Sequence, residues 1–237
     1  MRIWFALAAA GIGCVCITPV RAADDLFKGN IDVGLVNTTG NTRTGKLNAA
    51  AKLSYQQAEW RHIGQTSVLR STDQSVTTAQ RYEVDAKSEY NFTKHNFAYG
   101  NIHYENDRFS GFYHRISEVI GYGRRIIIGP RLTLDLEPGI GARQSKEKET
   151  GQTIYEPLLR LYGNAAWNVS DNTSLGEELA IDAGRDTTIT RSTLALISTI
   201  VGNLATKISY DVRHVNKVPE GVKKLDTTTT VNLVYSF

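Results

Sequence analysis

From residue 81 to residue 92 the chain alternates without a break. Arg81, Glu83, Asp85, Lys87, Glu89 and Asn91 take one set of positions, and Tyr82, Val84, Ala86, Ser88, Tyr90 and Phe92 the other. A period of two sends successive side chains to opposite faces, so this is a strand with one charged and one apolar face. Wound as a helix, the same charges would spread over every side and leave no apolar stripe. The run is about twelve residues, roughly twice the usual strand length. In residues 131–143, Leu132, Leu134, Leu136, Ile140 and Ala142 oppose Arg131, Thr133, Asp135, Glu137 and Arg143. In residues 204–212, Leu204, Ile208, Tyr210 and Val212 oppose Ala205, Lys207, Ser209 and Asp211. Weaker copies run over 31–36, 47–56 and 96–107, and the faces blur over 115–126, 154–169, 173–183 and 188–201.

Turn-forming residues separate these runs at 39–41, 57–59, 72–78, 94–95, 110–111, 129–130, 146–151, 170–172, 184–186, 202–203 and 219–224. Eleven connections imply twelve strands. Tight turns near 58, 95, 129, 171 and 202 alternate with longer polar loops at 72–78, 110–114, 146–151 and 219–224. Short turns on one rim and longer loops on the other predict an all-β fold, a transmembrane antiparallel β-barrel. Aromatic residues fit two girdles at the headgroup levels of a bilayer. Tyr55, Trp60, Tyr90, Phe92, Phe97, Trp167, Tyr235 and Phe237 fall near the short-turn rim, and Tyr104, Phe109, Phe112, Tyr113 and Tyr155 near the other. No stretch beyond the first residues reaches the length of a spanning helix, so a membrane crossing requires a closed sheet.

The first 22 residues read as a secretory signal peptide. Arg2 starts it, residues 3–17 are apolar, Pro19 ends the run, and Val20-Arg21-Ala22 offers a small-residue cleavage site. The barrel is then expected over 23–237, in the bacterial outer membrane, with both ends of its twelve strands on the periplasmic side. Gly13-Cys14 makes a partial lipidation box, with Gly11 where Leu is usual. Cys14 and Cys16 are the only cysteines, so a chain starting at Ala23 has neither a disulfide nor a Cys-based zinc site.

The composition, 41% hydrophobic and 22% charged in 237 residues, excludes a disordered or collagen-like chain. Twenty glycines and eleven tyrosines against five prolines and one methionine favour strands and turns. Loss of Arg2 and Arg21 takes the basic residues from 27 to 25 against 24 acidic ones, a formal charge of +1. That balance gives no basic face for a nucleic-acid partner.

Val231, Leu233, Tyr235 and Phe237 share one face of the last strand, opposite Thr230, Asn232 and Ser236, and the chain ends on the aromatic. This pattern resembles the terminal strand by which outer-membrane proteins are recognised by the barrel-assembly machinery. Three further stretches carry a family resemblance: residues 31–55 with the turn Thr38-Thr39-Gly40-Asn41-Thr42, residues 135–143 with Pro138-Gly139-Ile140-Gly141, and the ending Val234-Tyr235-Ser236-Phe237. They are similar to the YdiY-like family of salt-induced outer-membrane proteins. The resemblance implies an outer-membrane barrel of undefined biochemical activity; the reading of the chain itself is a structural or stress-associated barrel that passes small ions or solutes, with outer-membrane lipid and lipopolysaccharide around it. The resemblance implies no catalytic residues.

The polar faces would line the lumen with Lys52, Glu83, Asp85, Lys87, Glu89, Asn101, His103, Glu105, Asp107, Arg131, Asp135, Glu137, Arg143, Lys207, Asp211 and Arg213. Charges in a narrow lumen need partners or water, so the expectation is an ion-pair network that braces the barrel, with a selective pore as the alternative. Asn101, His103, Glu105 and Asp107 share a face, but alternate strand residues sit about 6.5–7 Å apart whereas zinc ligands lie about 2 Å from the ion. A neighbouring strand would have to supply a further ligand, and no metal or cofactor is expected from the sequence. An enzyme or lipid-binding barrel would need a Ser–His or His–carboxylate pair across strands. His62, His95, His103, His114 and His214 carry no local motif, so no enzyme is expected. Gly121-Tyr122-Gly123 is no phosphate loop, since it lacks a third glycine and lies in a strand, where glycine marks a bend or a close backbone approach.

Overall fold

A computed structural model describes residues 26–38, 44–74, 76–218 and 220–237. The signal-peptide reading (residues 1–22) and most of the family-like turn at 38–42 lie outside the described residues. Twelve strands follow one another: β1 (Phe27–Thr38), β2 (Thr44–Gln57), β3 (Trp60–Asp73), β4 (Val76–Asn91), β5 (Asn96–Asp107), β6 (Phe112–Ile128), β7 (Leu132–Glu147), β8 (Thr153–Ser170), β9 (Thr173–Gly184), β10 (Thr188–Val201), β11 (Leu204–Val215) and β12 (Leu225–Ser236). Each pairs antiparallel with the next, and β12 returns to β1, so the sheet closes into a barrel without an edge. The closing seam is short, running from Asn30 opposite Ser236 to Val33 opposite Leu233, with mutual backbone hydrogen bonds between Gly29 and Phe237 at 2.8 and 2.9 Å. By contrast, β2 and β3 stay in register from Thr44–Asp73 to Gln57–Trp60.

The two rims differ as expected. The rim carrying the start of β1 and the end of β12 has turns at 58–59, 92–95, 129–131, 171–172 and 202–203. At two of these turns the backbone enters the left-handed region, at Ala58 (φ 51°) and Gly202 (φ 53°). The other rim carries connections at 108–111, 148–152, 185–187 and 216–224. The expected long loop at 72–78 is instead a tight connection between Asp73 and Val76, with Gln74 at φ 46°. Thr72, Thr77 and Thr78 belong to the paired strands, so polarity there marked a strand face rather than a loop.

The outer face is apolar. Ile31, Val33, Leu53, Val84, Ile120, Ile140, Leu159, Ile208, Val231 and Leu233 are all exposed. Near the short-turn rim, aromatic side chains touch in series: Phe27 on Tyr55 (4.5 Å between ring centroids), Trp60 on Tyr90 (5.1 Å) and Tyr90 on Phe92 (5.4 Å), with His62 stacked between Tyr55 and Trp60. Phe97 does not join them. It is fully buried inside the barrel, in a cluster with Tyr99, Val119 and Leu158.

The Phe97 and Tyr99 rings turn inward because two glycines make room. A Cβ on Gly123 would strike the Phe97 ring, and one on Gly121 would meet Tyr99 Cε1 at 2.6 Å. These are the close approaches that the Gly-Tyr-Gly stretch suggested. Gly123→Ala is therefore expected to cost about 1–3 kcal/mol by overpacking, read as a lower urea midpoint for unfolding. Adding Phe97→Leu should recover part of that loss, since the smaller side chain vacates the space.

Candidate functional site

The lumen is the candidate site. Of the expected lumen residues, Lys52, Glu83, Asp85, Lys87, Asn101, His103, Glu137, Lys207, Asp211 and Arg213 line its two cavities. Glu89, Glu105, Asp107 and Arg143 are buried in its wall. Asp135 pairs in register with Arg125 and with Asn164, a lumen residue. Arg131 departs from the expectation: β7 begins only at Leu132, so Arg131 lies in the exposed turn and its carbonyl accepts from the Asn168 amide at 2.7 Å.

The inward charges tie strands that are far apart around the ring. Arg213 on β11 donates from Nη2 to Glu105 Oε1 on β5, the strand diametrically opposite, at 2.6 Å. Arg115 reaches the same oxygen at 3.4 Å, and Glu105 is only 2% exposed. Lys87 on β4 donates to Glu137 on β7 at 2.6 Å, while its Nζ sits 5.1–5.6 Å from the rings of Phe97, Tyr99 and Tyr162. Arg160 on β8 donates to Asn101 on β5 at 3.1 Å. Near the short-turn rim Glu89 accepts two hydrogen bonds from Arg61 at 2.8 Å each, with Arg125 at 3.3 Å. Towards the loop rim Arg143, 1% exposed, donates to Glu156 at 2.7 and 2.9 Å and to the Thr187 carbonyl, fastening the 185–187 loop. Lys207 on β11 reaches past β12 to Asp32 on β1 at 2.7 Å.

These ties and the Phe97 cluster fill the β5–β7 side. The space left is off-centre: one cavity of about 510 Å³ bounded by β1–β4 and β8–β12, and a second of about 210 Å³ reaching β5 and β7. Lys52, Glu83, Glu178 and Arg191 border both. Lys52 and Glu178 face each other across the opening at 3.9 Å and are more than 40% exposed. The larger cavity carries five basic and five acidic side chains.

Several of these residues were not expected from the sequence. Asp32 was legible, since Asn30 and Asp32 alternate with Ile31 and Val33. Arg115, Glu156, Arg160, Asp182 and Arg191 lie on strands with blurred alternation, where the interior also holds Val119, Leu158, Ala180 and Ile189. Two groupings bear on other chemistry. A ring nitrogen of His103 and carboxylate oxygens of Glu83 and Glu105 lie within 4.8 Å of one another. On the outer face, His62 Nδ1 lies 2.8 Å from Ser88 Oγ.

A closed antiparallel barrel of twelve strands, apolar outside and charge-braced inside, has the architecture of the porins. The NanC porin superposes with a TM-score of 0.55 at 12% identity, over 86% of this chain and 98% of that one. The COG4313 outer membrane channel from Pseudomonas putida F1 superposes with a TM-score of 0.52 at 11% identity, over 90% and 95%. The particular family follows from sequence: the chain belongs to the family described as "Protein of unknown function, DUF481", which matches residues 31–237. It is 28% identical over 213 residues to the uncharacterized protein YdiY of Escherichia coli (strain K12), covering 89% of this chain and 83% of YdiY.

Removing one partner of a buried pair strands the other without water. Glu105→Gln leaves Arg115 and Arg213 facing a neutral group and is expected to destabilise the barrel by about 3–5 kcal/mol. Lys52→Ala, at an open and loose pair, should stay within about 1 kcal/mol. Unfolding in urea, followed by loss of the folded band on an unheated gel, measures both.

Proposed function

We propose that this protein is an outer-membrane barrel that passes small ions and polar solutes along a narrow, off-centre path, its remaining lumen braced by ion pairs. The carrying observation is the pair of polar cavities that share Lys52, Glu83, Glu178 and Arg191 while ties such as Arg213–Glu105 and Lys87–Glu137 cross the rest. Rings of charge select solutes in pores, and equal numbers of both signs around the larger cavity give weak selectivity. The apolar exterior, the aromatic series at one rim and the outward Val231, Leu233, Tyr235 and Phe237 support this location, with lipid and lipopolysaccharide outside and the barrel-assembly machinery as the partner in biogenesis. The salt association carried by the family resemblance fits a path for small ions. It is tested by transcript levels across a series of sodium chloride concentrations.

A second reading, a barrel enzyme or lipid-binding barrel, draws on the His62–Ser88 hydrogen bond at the outer face. It ranks below the first because no carboxylate is hydrogen-bonded to His62 among the described residues, so the imidazole lacks the third group that orients a catalytic base. Ser88→Ala should therefore leave phospholipid turnover by the purified protein unchanged from background.

In outer-membrane fractions the protein should run as a folded band that shifts on boiling, and in planar bilayers it should give small single-channel steps. Lys52→Glu, at the junction of the two cavities, should move the reversal potential in a salt gradient towards cation preference. Large porin-like currents would overturn the narrow path, and a soluble protein without a heat shift would overturn the location.

A further inference from the structure

We propose that the lumen holds a binding site for a first-row divalent transition-metal ion of the zinc type, formed by His103, Glu83 and Glu105 and positioned by Asp85. Strand register builds it. Glu83 on β4 pairs directly with Glu105 on β5, and Asp85 pairs with His103, so two adjacent rows of two strands project four side chains into one space. The ligand atoms of Glu83, His103 and Glu105 lie within 4.8 Å of one another. Tetrahedral ligands at about 2.1 Å from zinc are about 3.4 Å apart, so the three side chains would close inward on the ion, with water as the fourth ligand.

The imidazole is set for this role. Its Nδ1 lies 3.3 Å from Asp85 Oδ2, and Asp85 also accepts from Asn101 Nδ2 at 2.8 Å. A histidine donating Nδ1–H to a carboxylate presents a lone pair at Nε2, the arrangement that orients metal-binding histidines. His103 Nε2 is screened from solvent and has no hydrogen-bond partner. A buried ring nitrogen without a partner is unfavourable until a donor or a cation meets it.

The charges around it agree. Among the described residues neither Glu83 nor Asp85 pairs with a lysine or arginine, and the Glu83 carboxylate accepts only from Ser67 Oγ, at 3.0 Å. Glu105 is held by arginines, but Arg115 and Arg213 both contact Oε1, while Oε2 lies 3.9 Å from Arg191. One oxygen of each glutamate therefore accepts no hydrogen bond among the described residues, and Arg191 would have to give way to an ion at Glu105 Oε2. Glu83 and His103 both border the 210 Å³ cavity, which gives the ion a way in. An imidazole nitrogen with two carboxylates favours zinc and its first-row neighbours over calcium or magnesium, which take oxygen ligands alone. The site stands on this geometry whether or not the lumen conducts.

The test uses protein extracted in detergent, stripped with EDTA, its thiols alkylated so that Cys14 and Cys16 cannot compete. Titration with Zn²⁺ in a calorimeter should give one ion per chain that survives gel filtration and is not displaced by excess Mg²⁺. His103→Gln and Glu83→Gln should each weaken it at least about 10-fold. Asp85→Asn, which removes no ligand, should weaken it by about 10-fold, with recovery in Asp85→Glu. The heat shift on a gel reports folding of each variant. Should one fail to fold, the wild-type protein decides alone: Co²⁺ bound in place of Zn²⁺ should give the d–d absorption of a low-coordinate site with nitrogen and oxygen ligands, lost on adding one equivalent of Zn²⁺. No stoichiometric ion, equal affinity in His103→Gln, or no such Zn²⁺-displaceable absorption would overturn the site.

Discussion

Every strand of this chain carries backbone N–H and C=O groups that need partners, and the closed ring of antiparallel pairs supplies them without leaving an edge. Closure then fixes everything inside. Twelve strands enclose too little space for a wide aqueous channel once aromatic and arginine side chains enter it, and too much for an apolar core alone. The charges lose water on entering, so they persist only where another strand presents the opposite sign. Glu105 is the plainest case, 2% exposed and met from the opposite wall by Arg213 at 2.6 Å. Bracing and polarity are thus two results of one geometry, and the cavity that remains is displaced to the β1–β4 and β8–β12 side.

The strand count, the closed antiparallel form and the rim of tight turns were legible because one face of β4, β7 and β11 is apolar and the other charged. Legibility fell where the interior is itself partly apolar. Val119, Leu158 and Ile189 face inward on β6, β8 and β10, which blurs the alternation that a purely polar lumen would give. Phe97 misled for the same reason: an aromatic near a rim reads as a girdle residue, and only Gly123 on the neighbouring strand reveals that its ring turns inward. Register within a hairpin can be guessed from turns, but contacts across the lumen depend on closure. The pairing of Glu83 with Glu105 beside His103 needs a one-residue register that the sequence does not specify. Arg131 was misplaced by a single residue at the end of its strand.

The family is defined by a shared chain rather than by a known reaction, and the chemistry of this chain lies in its interior. An exterior of Ile, Leu, Val and aromatic residues serves any barrel of this size. The Lys87 ammonium held among three rings, the doubly bonded Glu89 and the Arg143–Glu156 clasp on the 185–187 loop shape the interior of this chain. They spend conformational freedom on rigidity, which fixes the shape of the space that remains inside.

The short seam between β1 and β12 has an internal latch. Lys207 on β11 spans the final strand to hold Asp32, 1% exposed, on the first. The N-terminal strand therefore carries a charge that finds its partner only after nearly the whole chain has been delivered. The pair exists only in the closed ring, so it joins the two ends of the sheet through a side-chain contact where the backbone ladder is short.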